Sequence, residues 1–231
     1  MRAMIQLLEH NRPLRRLWFA EVVSMAGDWL SFVAISLLAL RSGDGALALA
    51  SVLVLHTLPS ALLAPVAGLL ADRLEARGAM RFAALVEAVL TLGLIVAAHN
   101  ESLLAVQVLV LIRASVSAAA YPTWGVAMRQ LVSDADLVRA NALNAATWSV
   151  MFSVGMALGG LLSLLGPEIA LGIDALTFVL AALILGGLPR LPPPEEGATT
   201  TLAEAWRDGL GALPGAMRHA RADPTLLEAT L

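Results

Sequence analysis

Five ionisable side chains stand inside otherwise apolar stretches of this chain: Glu21, Asp28, Glu87, Arg113 and Asp174, with His56 as a sixth candidate. An Asp or Arg at the centre of a membrane helix costs roughly 2.5–3.5 kcal/mol on insertion scales, so such residues usually pair or face water. Asp28 follows Glu21 by seven residues, nearly two helical turns, so both point the same way. Ser24 and Ser31 fall close to that stripe. The result is a polar face on an apolar helix, which suits a watery cavity. His56 reads as a hydrogen-bonded packing residue rather than a ligand. Glu21, near one end of its stretch, can also pair with Arg15 or Arg16.

Other chemistry is poorly served. There is no cysteine, so a disulfide, a thiolate nucleophile and a cysteine-ligated metal are excluded. All 15 basic residues are arginine. Without lysine there is no phosphate-loop lysine and no Schiff base. An intramembrane hydrolase would need a constellation such as H-E-x-x-H or G-x-S-x-G, and neither occurs, while His56 and His99 have no evident partner set. The chain reads as a non-enzyme with no cofactor and no metal. Net charge is −3 with no basic concentration, so nucleic acid is not an expected partner.

The elements that must position these charges are membrane helices. The chain has 231 residues, 58% hydrophobic and 14% charged, whereas soluble domains carry about 25% charged residues. A bilayer crossing takes about 20 apolar residues. Spans are read at 15–40, 46–71, 79–98, 102–121, 140–165 and 168–188, all helical because lipid cannot satisfy an open backbone. Pro59 and Pro65 are expected to bend the second. Thirteen arginines fall on one side: Arg2, Arg12, Arg15 and Arg16; Arg73, Arg77 and Arg81; Arg129 and Arg139; Arg190, Arg207, Arg218 and Arg221. The opposite gaps are short and hold only Arg41. By the positive-inside rule both ends of the chain are cytoplasmic. Arginine in place of lysine suggests a GC-rich bacterial genome, hence the bacterial inner membrane. Trp18, Trp124 and Trp206 read as interface anchors, and Trp29 and Trp148 as facing either cavity or lipid.

Between spans 2 and 3 the run Gly68-Leu69-Leu70-Ala71-Asp72-Arg73, followed by Arg77, fits a G-x-L-a-D-r loop, with Glu75 and Ala76 departing from its usual Gly and basic residue. Leu109 and Arg113 fit an arginine four residues after a leucine in span 4, and Gly155, Gly159 and Gly160 fit a glycine pattern in span 5. Met156 stands where the antiporter form of that pattern has proline. With these residues the chain resembles the amino-terminal half of a major facilitator superfamily transporter, of the bacterial branch that includes the enterobactin exporter and macrolide efflux proteins. Trp18, Gly27 and Asp28, the run Arg139 to Leu143, and Asp174 with Phe178 are similar to that branch as well. The resemblance covers residues 12–231.

The resemblance implies an all-α fold: a six-helix amino-terminal bundle with spans 1 and 4 lining a central cavity and spans 3 and 6 at the periphery. Arg113 would then face the same space as Asp28. Asp28, with Glu21, is the expected proton-coupling group, tuned by Arg113; the open alternative is a buried pair that only fixes packing. Peripheral placement makes Glu87 and Asp174 structural. Gly155, Gly159 and Gly160 are expected to be packing surfaces. Asp72, at the unfavourable carboxyl end of span 2, needs a cationic or helix amino-terminal partner. Arg73, Arg77 or Arg81 can serve, and the family implies a partner in a second half. The expected organisation is a cytoplasmic segment 1–14, a bundle 15–190, and a linker 191–231 leading to a second six-span half on a longer chain. The linker opens with Pro192-Pro193-Pro194 and carries an amphipathic helix over 201–221. The expected activity is proton-coupled efflux of a small amphipathic compound, working in the lipid bilayer. A truncated, non-transporting scaffold is the competing reading.

Overall fold

The computed structural model describes residues 2–41 and 45–194, together with Glu204 and Arg207. Among them there are eight helices and no strand: α1 (Arg2–His10), α2 (Arg12–Arg41), α3 (Gly45–Leu62), α4 (Ala64–Arg73), α5 (Ala76–His99), α6 (Leu103–Leu131), α7 (Asp134–Leu162) and α8 (Pro167–Gly186). Six of these, α2, α3, α5, α6, α7 and α8, are long and apolar enough to cross a membrane. The amphipathic helix expected over 201–221 lies outside the described residues, apart from the helical Glu204 and Arg207. So does the run Ser42-Gly43-Asp44.

The second span is not one helix. It breaks between Leu62 and Ala64, with Pro59 inside α3 and Pro65 in the first turn of α4. Neither proline can donate a backbone hydrogen bond, and Pro is at home in a helix's first turn. Two helices run further than expected at the arginine-rich end. Helix α6 continues through Pro122 to Leu131, and α7 starts at Asp134, so the arginines between spans 4 and 5 sit on helix ends. Their polar overhang carries no hydropathy signal, which is why the spans read shorter. Asp134 and Asp136 favour the amino-terminal turn of α7 through the helix dipole. Helix α1 was not expected. It turns into α2 at Asn11, whose side chain accepts from Leu14 N at 2.9 Å and donates to Leu131 O at 2.6 Å.

Two apolar clusters hold the ends of the bundle. At the arginine-rich end Leu14, Leu17, Met80, Met128 and Leu185 pack together, and at the other end Ile35, Val52, Leu94, Val110 and Leu171 do so. Helix pairings repeat in two sets of three. Span 1 (α2) packs on span 6 (α8) and span 5 (α7), as span 4 (α6) packs on span 3 (α5) and span 2 (α3 and α4). Spans 3 and 6 pack on each other. This is the pairing of a three-plus-three repeat, which the amino-acid sequence does not display.

Candidate functional site

Between the two end clusters the interior is polar. Arg113, on α6, is buried, its side chain 10% exposed. Its Nη2 bonds to Asp28 Oδ1 on α2 and lies 3.0 Å from Asp174 Oδ2 on α8. Its Nη1 donates to Ser31 Oγ at 3.2 Å. The guanidinium carbon sits 5.0 Å from the centre of the Phe178 ring, one turn beyond Asp174 on α8. One cation thus joins three helices. The contact with Asp174 lacks the alignment of a hydrogen bond, and neither Asp174 oxygen has a hydrogen-bond partner among the described residues. Asp174 is nonetheless fully buried, whereas the Asp28 side chain is 41% exposed.

The close approach of α8 to α2 that brings Asp174 into the cluster depends on Gly27. A Cβ there would fall 2.5 Å from Asp174 Oδ1 and 3.0 Å from Asp174 Cα. Asp174 and Glu87 were expected at the periphery. Their helices instead pack on each other and on spans 4 and 1, in the middle of the pairing scheme; both side chains are buried, and Glu87 lines a cavity of about 30 Å³ with Asp28, His56, Arg113 and Ser117. That is room for a single water. A second cavity, about 170 Å³, shares Asp28, Glu87 and Ser117 with it and extends past Ser24 and Tyr121 to Glu21 and Trp124. The two together form a route from Arg113 towards the arginine-rich end, apolar over most of its lining but carrying Asp28, Glu87, Ser117, Ser24 and Glu21 along it. Glu21 does not pair with Arg15 or Arg16. With its amide turned to donate, Asn144 on α7 reaches both Glu21 oxygens at 2.6 and 3.0 Å.

Next to this route stands an aromatic wall. Trp29 meets Trp148 and Phe152 edge-on, with ring centres 5.7 and 4.7 Å away, and Phe32 extends the wall to His56. Gly155 and Gly159 of α7 face α2, where added Cβ atoms would meet Trp29 Cβ at 2.5 Å and Leu30 O at 3.0 Å. Gly160 points elsewhere, with nothing within 4 Å.

The loop between α4 and α5 engages α8. Arg77 donates to Leu188 O at 3.0 Å, Arg81 to Ala182 O at 3.2 Å, and Arg16 to Gly187 O. These arginines satisfy carbonyls at the α8 carboxyl end, where cations are favoured. Arg77 and Arg81 therefore turn away from Asp72, which opens with Gly68 onto a cavity lined by Tyr121, Arg129 and Asn141. Arg73 closes α4 at an exposed position. Glu75, a departure from the loop pattern, caps α5 by accepting from Gly78 N at 2.7 Å, and its other oxygen accepts from Leu191 N, beyond α8, at 2.9 Å. Glu75→Ala is expected to cost about 1 kcal/mol, as lost helix caps do, and a thermal melt of the purified protein checks it.

A family model described as transmembrane secretion effector, of the major facilitator superfamily, matches residues 9–219. The chain belongs to this family. It is also 26% identical over 208 residues to an uncharacterized MFS-type transporter, YfiS, of Bacillus subtilis (strain 168). That match covers 86% of this chain and 49% of the relative, so the chain spans about half the relative's length. No solved structure matches. Family and helices together make this a multi-pass membrane protein of the major facilitator superfamily, with the all-helical, six-span bundle expected of an amino-terminal half.

The roles missed at the sequence level are Asp174 as a partner of Arg113 and Glu75 as a cap. A faint signal existed for the first: Asp174 and Phe178 are four apart, so an acid and a ring share one face of α8.

Proposed function

We propose that this chain is the amino-terminal half of a proton-coupled secondary transporter that exports a small amphipathic compound by alternating access. It acts without enzymatic catalysis, in a bacterial inner membrane with its arginine-rich end cytoplasmic. Asp28 is the coupling carboxylate and Arg113 its partner. The observation that carries the reading is the Asp28–Arg113 pair: a buried cation held by a carboxylate that remains open on its outer side and borders both cavities. Protonation removes the Asp28 charge and frees it from Arg113; deprotonation on the other side of the membrane restores the pair. The second six-span half closes the cavity, and Asp72 meets its partner there. The half-length match to the relative supports that second half.

The test uses the complete gene product in everted membrane vesicles, with ethidium as the amphipathic probe. Wild type should accumulate the dye when a proton gradient is imposed. Asp28→Asn is expected to lower that rate about 100-fold, within the range lost with one proton-transfer group. Undiminished gradient-driven uptake by Asp28→Asn would show that the pair serves packing alone.

A further inference from the structure

Arg113 has two counter-ions of opposite character. Asp28 is open on one side, hydrogen-bonded to the guanidinium, and lines both cavities. Asp174 is sealed, with no exposure, and lines neither. If Arg113 had Asp28 alone, every protonation of Asp28 would leave a buried guanidinium unpaired, which is among the most destabilising events in a protein interior. That cost would hold Asp28 in its ion pair and block proton exchange. With Asp174 in place, the site alternates between a cation facing two carboxylates and a cation facing one. In neither state is Arg113 bare.

From this geometry we infer that Asp174 is a positioning residue, the standing counter-ion that retains Arg113 while Asp28 takes up and gives back its proton. The inference rests on the proton-coupled reading above and assigns a role to span 6 within it. Bookkeeping is simple. One proton adds to the Asp28 carboxylate, the cluster's charge rises by one, and Arg113 stays protonated and Asp174 ionised throughout. Among the described residues, the other titratable groups facing the cluster are Glu87 on α5 and His56 on α3, both on the small cavity. Helix α7 has no titratable residue beyond Arg139, and Glu21 lies further along α2, bonded to Asn144. Phe178 and Ser31 hold the guanidinium in place against either acid.

The experiment is labelling of the purified complete protein with dicyclohexylcarbodiimide, which adds to protonated, accessible carboxyl groups in apolar surroundings. Mass spectrometry locates the adduct, at mildly acidic and at alkaline pH. In the wild type the expected adduct is on Asp28, stronger at acidic pH, with Asp174 unlabelled. In Asp174→Asn, labelling of Asp28 should fall about tenfold across the pH range, because Arg113 then depends on Asp28 alone. Asp174→Glu should restore it; a merely structural Asp174 would leave the Asp28 labelling profile where it was. An adduct on Asp174, or unchanged Asp28 labelling in a folded Asp174→Asn protein, overturns the inference. Should Asp174→Asn fail to fold, the wild-type adduct still decides between Asp28 and Asp174. Absence of any Asp28 adduct in wild type, with intact transport by Asp28→Asn, would instead overturn the coupling reading itself.

Discussion

Arg113→Met is expected to be the most destabilising single substitution in the bundle. It leaves Asp174 buried without a cation, leaves the Ser31 hydroxyl without its guanidinium donor, and removes the cation from the Phe178 ring. Breaking a buried pair by removing one partner costs about 3–5 kcal/mol. The Asp174 side supplies most of that, since Asp28 is open enough for solvent to screen its share. Reversible unfolding of the detergent-solubilised protein should register the loss, or the protein should fail to accumulate in folded form. The companion is the triple variant Arg113→Met, Asp28→Asn, Asp174→Asn. Removing all three charges together should recover most of the lost stability, because the desolvation cost disappears with the ions. Arg113→Lys should fall between. An ammonium on a flexible stem is a point charge without the fork that reaches two acids and a hydroxyl. If Arg113→Met were as stable as wild type, the cluster would contribute nothing to the fold.

Gly27→Ala is expected to be costly, although a Gly-to-Ala change within a helix normally gains about 1 kcal/mol. The added methyl would meet Asp174 Cα at 3.0 Å and Asp174 Oδ1 at 2.5 Å, with Thr177 Oγ1 closer still. Backbone cannot yield as a side-chain tip can, so α8 must move away from α2. Overpacking of this kind costs about 1–3 kcal/mol. It also carries Asp174 away from Arg113, so on the proposed coupling role the proton-driven dye uptake proposed for the complete protein should fall along with the melting temperature. Gly160→Ala is the internal control. With nothing within 4 Å of its added Cβ, it should be neutral or slightly stabilising in this bundle. Thermal melts of both variants, made side by side, test the contrast. Equal melts would mean that α2 and α8 are free to separate at Gly27.

The two variants mark where one-dimensional information stops. Gly27 and Gly160 are both glycines in apolar helices; only the rotation of each helix against its neighbours separates a contact from open space. The same holds for the acids. That Asp28 and Arg113 need partners follows from their placement in apolar stretches, because the cost of a charge in lipid is a local quantity. That Asp174 is one of the partners depends on the register of α8 against α2, which no property of either segment states. Arg77 shows the same limit: it was one of three arginines near enough in sequence to serve Asp72, but the carbonyls at the α8 carboxyl end, close only in space, hold it instead.

Composition, hydropathy and arginine spacing determined that this chain forms six membrane helices with one charge-rich end, since each averages over whole segments and needs no knowledge of neighbours. The bend in the second span was legible too, since Pro59 and Pro65 cause it locally. The tertiary structure alone decided which charges meet and which glycines are contacts, because helix rotation, register and close approach are set by packing between segments distant in sequence.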